Sequence, residues 1–82
     1  MSIFYFDVED GRHSEVDAVG LDFPDVTSAR REAFRALTEM ARETFAVSSQ
    51  GAISIAIRSD RGVPVSRYVL AISTSDFEGP RN

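Results

Sequence analysis

Only one stretch of this chain has the periodicity of a helix. In "PDVTSARREAFRALTEMARETF", Ala29, Ala33, Leu37, Met40, Ala41 and Thr44 recur at helical spacing, with Phe34 and Phe45 beside the stripe. Arg31, Arg35, Glu39 and Arg42 fall on the opposite face. Pro24 closes the extended run before it. Asp25 is a good cap, because its carboxylate accepts orphan amide hydrogens of the first turn; Thr27 or Ser28 is the alternative. A single amphipathic helix covers one face of a sheet and no more, and that limit shapes everything else.

The remaining periodic segments are strands. Residues 2–8 are rich in aromatic and β-branched types and end at Asp10-Gly11, which has turn chemistry. A short extended piece is expected between Val16 and Phe23, broken by Gly20. "AISIAIRS" alternates cleanly, and "VSRYVLAIS" alternates again. Between them "SDRGVP" reads as a hairpin connection with Gly62 as its left-handed residue. The order β(β)αββ excludes a doubly wound parallel sheet. It predicts an α+β fold, a three- to four-stranded, mainly antiparallel sheet with one helix packed on one face. Phe4, Phe6, Val8, Ile53, Ile55, Ile57, Tyr68, Leu70 and Ile72 form its expected inner face. Residues 1–75 make a single domain, and residues 76–82 a flexible tail from which Phe77 is able to dock back.

The first strand does not obey the one-face rule. Phe4, Phe6 and Val8 point one way, but Ile3 and Tyr5 point the other. With them on the uncovered face come Ala52, Ser54, Ala56 and Arg58, then Val65, Arg67, Val69 and Ala71. A contiguous surface this apolar marks an interaction site, unless the tail or the acidic segment after the first strand folds over it. The expected partner-binding residues are Ile3, Tyr5, Ala56, Arg58, Arg67 and Val69, and the partner is a second copy, giving a homo-oligomer such as a dimer, or another protein. A chain of 82 residues buries little surface, so added burial through a partner is expected.

Charge and chemistry narrow the classes further. The net charge is −4, and all nine basic residues are Arg, as in the product of a GC-rich genome. Seven acids (Asp7, Glu9, Asp10, Glu15, Asp17, Asp22 and Asp25) face only Arg12 in the segment from Asp7 to Asp25, which makes an acidic flap on a near-neutral body. Such a balance argues against nucleic acid. The small basic cluster Arg30, Arg31 and Arg35 is interrupted by Glu32 and is expected to pair with the flap. His13, the only histidine, sits beside Ser14 in a polar turn, without the rigid scaffold a catalytic triad needs. "DVEDG" fails as a calcium loop, since the sixth and twelfth positions from Asp7 are Arg12 and Ala18. An irregular cation site among Asp7, Glu9, Asp10 and Asp17 is the alternative to a solvated acidic turn. The five glycines are isolated and cradle no phosphate. No catalytic, cofactor-binding or metal-ligating residue is assigned, and no small-molecule substrate is evident. With no cysteine, no signal-like start and no run of about 20 apolar residues, the expected location is cytoplasmic, away from membranes.

The landmarks "YFDVEDG" at Tyr5–Gly11, "D-x-x-G-x-D-F-P-D" at Asp17–Asp25, "A-R-R-E-A" at Ala29–Ala33 and "IRSDRGVPV" at Ile57–Val65 resemble, in that order, a family of short bacterial proteins known only as a domain of unknown function. The resemblance runs from Phe4 to Ile72 and implies no active site. The "FPD" stretch and the following helix are also similar to HicB-type antitoxins, whose related domain masks a small toxin. The functional expectation is a non-enzymatic protein-interaction module acting through the exposed sheet face. The alternative is an antitoxin-like inhibitor of a small toxin protein.

Overall fold

A computed structural model describes residues 1–48 and 50–78. The long strand β1 (Ser2–Glu9) is followed by two short ones, β2 (Ser14–Glu15) and β3 (Leu21–Phe23). The helix α1 (Val26–Thr44) comes next, and then the hairpin β4 (Gly51–Ser59) and β5 (Pro64–Ile72). The α+β fold with one helix on one sheet face stands as the pattern implies. Every strand pairing is antiparallel, and the sheet has five strands once the two short pieces are counted.

The helix forms where its sequence places it. Asp25 is extended, and its Oδ1 accepts the Ser28 amide at 2.8 Å, so Asp25 is the cap. Ala29, Ala33 and Leu37 are buried, and the small alanines let the helix lie close on β4. There they meet Phe4, Ile53, Ile55 and Ile57, the last three almost wholly enclosed. On the solvent side Arg35 pairs with both Glu32 and Glu39. Removing the apolar surface of these isoleucines from water is worth roughly 1.5–3 kcal/mol each.

Register departs from simple alternation at one point. Ile57 lies opposite Ser66, yet Arg58 lies opposite Pro64, which leaves Val65 as the extra residue of a bulge. Two corrections follow. Val65, expected on the outer face, packs against the core. Ser66 comes within reach of the helix and accepts from Arg30 Nε at 3.0 Å. At the other end of β5, Ile72 was expected in the core; it pairs with Gly51 past the end of the helix and is 41% exposed. The hairpin turn is closed by Gly62 donating to the Ser59 carbonyl at 2.9 Å, with Gly62 at a φ of +79° as its position requires. Residues 73–78 follow β5 as an exposed segment without regular structure, and Phe77 is 90% exposed rather than docked back. The remainder of the expected tail, 79–82, lies outside the described residues.

Candidate functional site

The two edges of the sheet are treated differently, and the difference begins with the acidic flap. After β1 the chain turns at Asp10, whose Oδ1 accepts the amides of Arg12 and His13. It then runs back along the free edge of β1. β2 pairs with the Val8–Glu9 end and β3 with the Ser2–Phe4 end. Between the two, Asp17 stands in for a strand. Its Oδ2 accepts the Phe6 amide at 3.1 Å, while its Oδ1 accepts the amides of Val19 and Gly20. The β1 edge is therefore closed from Ser2 to Glu9 by two short ladders and one carboxylate.

The same flap covers the outer face of β1. A Cβ added to Gly20 would stand 2.6 Å from Ile3 Cγ2 and 3.0 Å from Tyr5 Cε1, so the backbone there rests directly on both side chains. Ile3 and Tyr5, expected on an open surface, are half-buried under the chain's own loop. Arg58 locks the arrangement from β4. Its Nε and Nη2 reach Asp7 at 2.6 and 3.0 Å, its Nη2 donates to the Asp17 carbonyl at 2.9 Å, and its guanidinium lies 4.9 Å from the Tyr5 ring centre. Asp7 accepts the Asp17 amide in turn. The cation that meets the flap is thus Arg58. Of the cluster expected to do so, Arg30 binds Ser66, Arg35 binds its helix neighbours, and Arg31 lends only its charge near Asp25.

These contacts set the local electrostatics. The Arg58 hydrogen bond, opposed by burial and aided by the Asp17 amide, holds Asp7 below the usual carboxylate range. For Asp17 burial is the largest influence and favours the neutral acid, but the amides of Gly20, Val19 and Phe6 together outweigh it and lower the pKa. Arg58 is raised, chiefly by its bond to Asp7. Asp10 is lowered by the His13 and Arg12 amides. The acids that the sequence gathers are consequently spent on the turn, the flap and Arg58, and no group of three or more metal-binding side chains forms among the described residues. His13 is exposed beside that turn, and its amide donates to Asp10 Oδ1 at 2.7 Å.

The opposite edge has no such cover. Among the described residues nothing pairs with the outer side of β5. Its outer face presents Val69, which is 60% exposed, and Ala71. Its helix side presents Ile72 and the edge of Tyr68, against which Phe34 stacks at 6.5 Å while remaining 59% exposed. Arg67 is the one charge on the strand, and it reaches across β4 to Glu9 at 3.6 Å. Beside that bridge Ser54 is buried and Ala56 half-buried. Of the six residues named from sequence, then, Arg67 and Val69 face open solvent. Ile3, Tyr5 and Arg58 belong to the flap contact, and Ala56 lies between the two regions. Ile72 and Phe34 complete the open edge beside Tyr68, which packs against the core as alternation assigned it, whereas Ile72, assigned there too, does not.

The bulge also leaves a shallow hollow of about 470 Å³ on the outer face, lined by Asp7, Ala56, Ile57, Arg58 and Pro64 to Arg67. It is open to solvent. No helix among the described residues is long and apolar enough to cross a membrane.

The fold is of the α+β class, a small antiparallel sheet with one helix, closed at the β1 edge by its own flap and, among the described residues, unpaired at the β5 edge. The particular family follows from comparison: residues 3–71 match the model described as Domain of unknown function (DUF6894), and the chain belongs to that family. No curated protein matches the chain, and no solved structure does. The likeness to HicB-type antitoxins remains one of a short motif.

Proposed function

We propose that this protein is a non-enzymatic interaction module that self-associates by pairing β5 with β5 of a second copy. The observation that carries the reading is the free edge of a nine-residue strand with one charge and apolar side chains on both sides. Proteins usually blunt such edges with charges, proline, bulges or cover. Here Pro64 and the bulge at Val65 protect only the start of β5, so Ser66–Ile72 is the regular, unprotected part. A two-fold axis at Val69 pairs that segment with itself. It sets Val69 against Val69 and Arg67 against Ala71 on the outer face, and Tyr68 against Leu70 and Ser66 against Ile72 on the helix side. No like charges meet, and alternate residues keep their faces. Because the flap closes the β1 edge, the association ends at two copies and does not grow into a fibre.

Magnitudes decide what sets the affinity. A ladder of about eight backbone bonds at ~1 kcal/mol each is comparable to the ~4–15 kcal/mol cost of association. Net affinity therefore depends on Phe34, Tyr68, Val69 and Ile72. Sedimentation velocity over a concentration series tests this. The wild type is expected to shift from monomer to dimer, and Val69→Lys to stay monomeric with an unchanged fold by circular dichroism. A wild type that is monomeric throughout, or a Val69→Lys variant that dimerises equally well, removes the reading.

A further inference from the structure

Resting on that pairing, we infer that the tail following β5 is part of the interface, with Phe77 of one copy seated in the hollow at the bulge of the other. Four observations converge on this. Phe77 is the most exposed large apolar side chain among the described residues, at 90%, and it lies on a segment that follows β5 directly after Ile72. The hollow of about 470 Å³ has apolar lining at Ala56 and Pro64. Its rim carries two arginines and one acid, Arg58, Arg67 and Asp7, of which Arg58 and Asp7 pair with each other and the exposed Arg67 reaches Glu9 at 3.6 Å. Phe77 follows Asp76, so an acidic side chain meets a hollow whose lining holds one more arginine than acid.

The topology brings the two together. With the two-fold at Val69, Ile72 of the second copy stands opposite Ser66, and its tail continues past Val65 and Pro64, which line the hollow. Phe77 lies five residues beyond Ile72, an extended reach of roughly 17 Å at about 3.3 Å per residue. The hollow lies over the β4–β5 pair, within two strand spacings of about 4.8 Å from the second copy's strand. The reach is ample. The same Phe77 meets its own hollow less readily, because its tail leaves from the opposite end of β5. The hollow that the bulge creates, for which the monomer has no use, thereby gains an occupant.

The absence of cysteine from the sequence makes a clean test possible. A size-tagged Ala56→Cys chain and an untagged Phe77→Cys chain are mixed and mildly oxidised. The expected result is a mixed disulfide that forms faster than in a control pairing Phe77→Cys with Ser48→Cys. In parallel, Phe77→Ala, a change at an exposed site that leaves the fold intact, should weaken dimerisation about tenfold or more. A dimer that forms normally with Phe77→Ala, and gives no excess mixed disulfide, overturns the tail contact and leaves the β5 pairing standing. A wild type monomeric at every concentration overturns both.

Discussion

Replacing Gly20 by alanine isolates the seat of the flap. Two costs are expected. Gly20 has a φ of +77°, and an L-residue held in that region costs about 1–2 kcal/mol. The new Cβ also meets Ile3 Cγ2 at 2.6 Å, Tyr5 Cε1 at 3.0 Å and the Phe4 carbonyl oxygen at 3.2 Å. Two of these are strand side chains and one is backbone, so the loop must lift, at an overpacking cost of about 1–3 kcal/mol. Alanine restricts the unfolded chain and returns about 0.4–1 kcal/mol. Gly62 provides the control. Its φ of +79° imposes the same backbone cost, but nothing lies within 4 Å of its added Cβ. In urea unfolding, Gly62→Ala should therefore lose about 1 kcal/mol net, and Gly20→Ala about 1–3 kcal/mol more. For a domain of this size that difference corresponds to a melting temperature lower by roughly 4–8 °C per kcal/mol. Equal losses in the two variants would refute the claim that the flap rests on Ile3 and Tyr5.

Other perturbations follow from the same contacts. Asp17→Asn keeps an acceptor for Val19 and Gly20 but turns an amide donor toward the Phe6 N–H; a loss of about 1–2 kcal/mol is expected in chemical unfolding, with faster hydrogen exchange at Phe6. Asp7 and Asp17 both have folded pKa values below the ordinary 3.8, so the folded protein binds fewer protons than the unfolded chain there. Their contribution is complete above the unfolded value and lost as pH falls through the folded ones, so urea midpoints should drop below about pH 4, with a shallower drop in Asp17→Asn. Asp25→Ala removes the helix cap and should cost about 1 kcal/mol, read by thermal unfolding. Leu37→Ala opens a cavity under the helix and should cost about 2–5 kcal/mol.

Local signals wrote some of this structure plainly. The cap at Asp25, the Ala29–Ala33–Leu37 stripe and the turn at Gly62 depend on neighbours within a few residues, and each stands where its pattern placed it. The bulge did not announce itself: "VPVSRYVLAIS" alternates without a break, and only pairing with β4 reveals Val65 as the extra residue. The flap was legible as an acidic segment, and its folding over the outer face stood as the alternative to an open surface, but its seat was not legible. Its seat depends on Asp17 bonding Phe6, eleven positions earlier, and on Arg58 reaching Asp7 from fifty-one positions away. Gly20 looked like a strand breaker because the side chains that forbid a Cβ there, Ile3 and Tyr5, are distant in sequence. The candidate surface shifted for the same reason. Two-sided apolarity in β1 was a true signal of burial, but the burial is internal, and the bare edge lies two strands away at β5, where alternation looked ordinary.

The account turns on one asymmetry, a sheet closed by its own flap at β1 and left open at β5. Amide hydrogen exchange followed residue by residue at low and high protein concentration reads both edges at once. The prediction is that the amides of β1 are protected equally at both concentrations, while the outward-facing amides between Ser66 and Ile72 exchange quickly when dilute and slowly when concentrated. Concentration-dependent protection at β1, or none at β5, would contradict it.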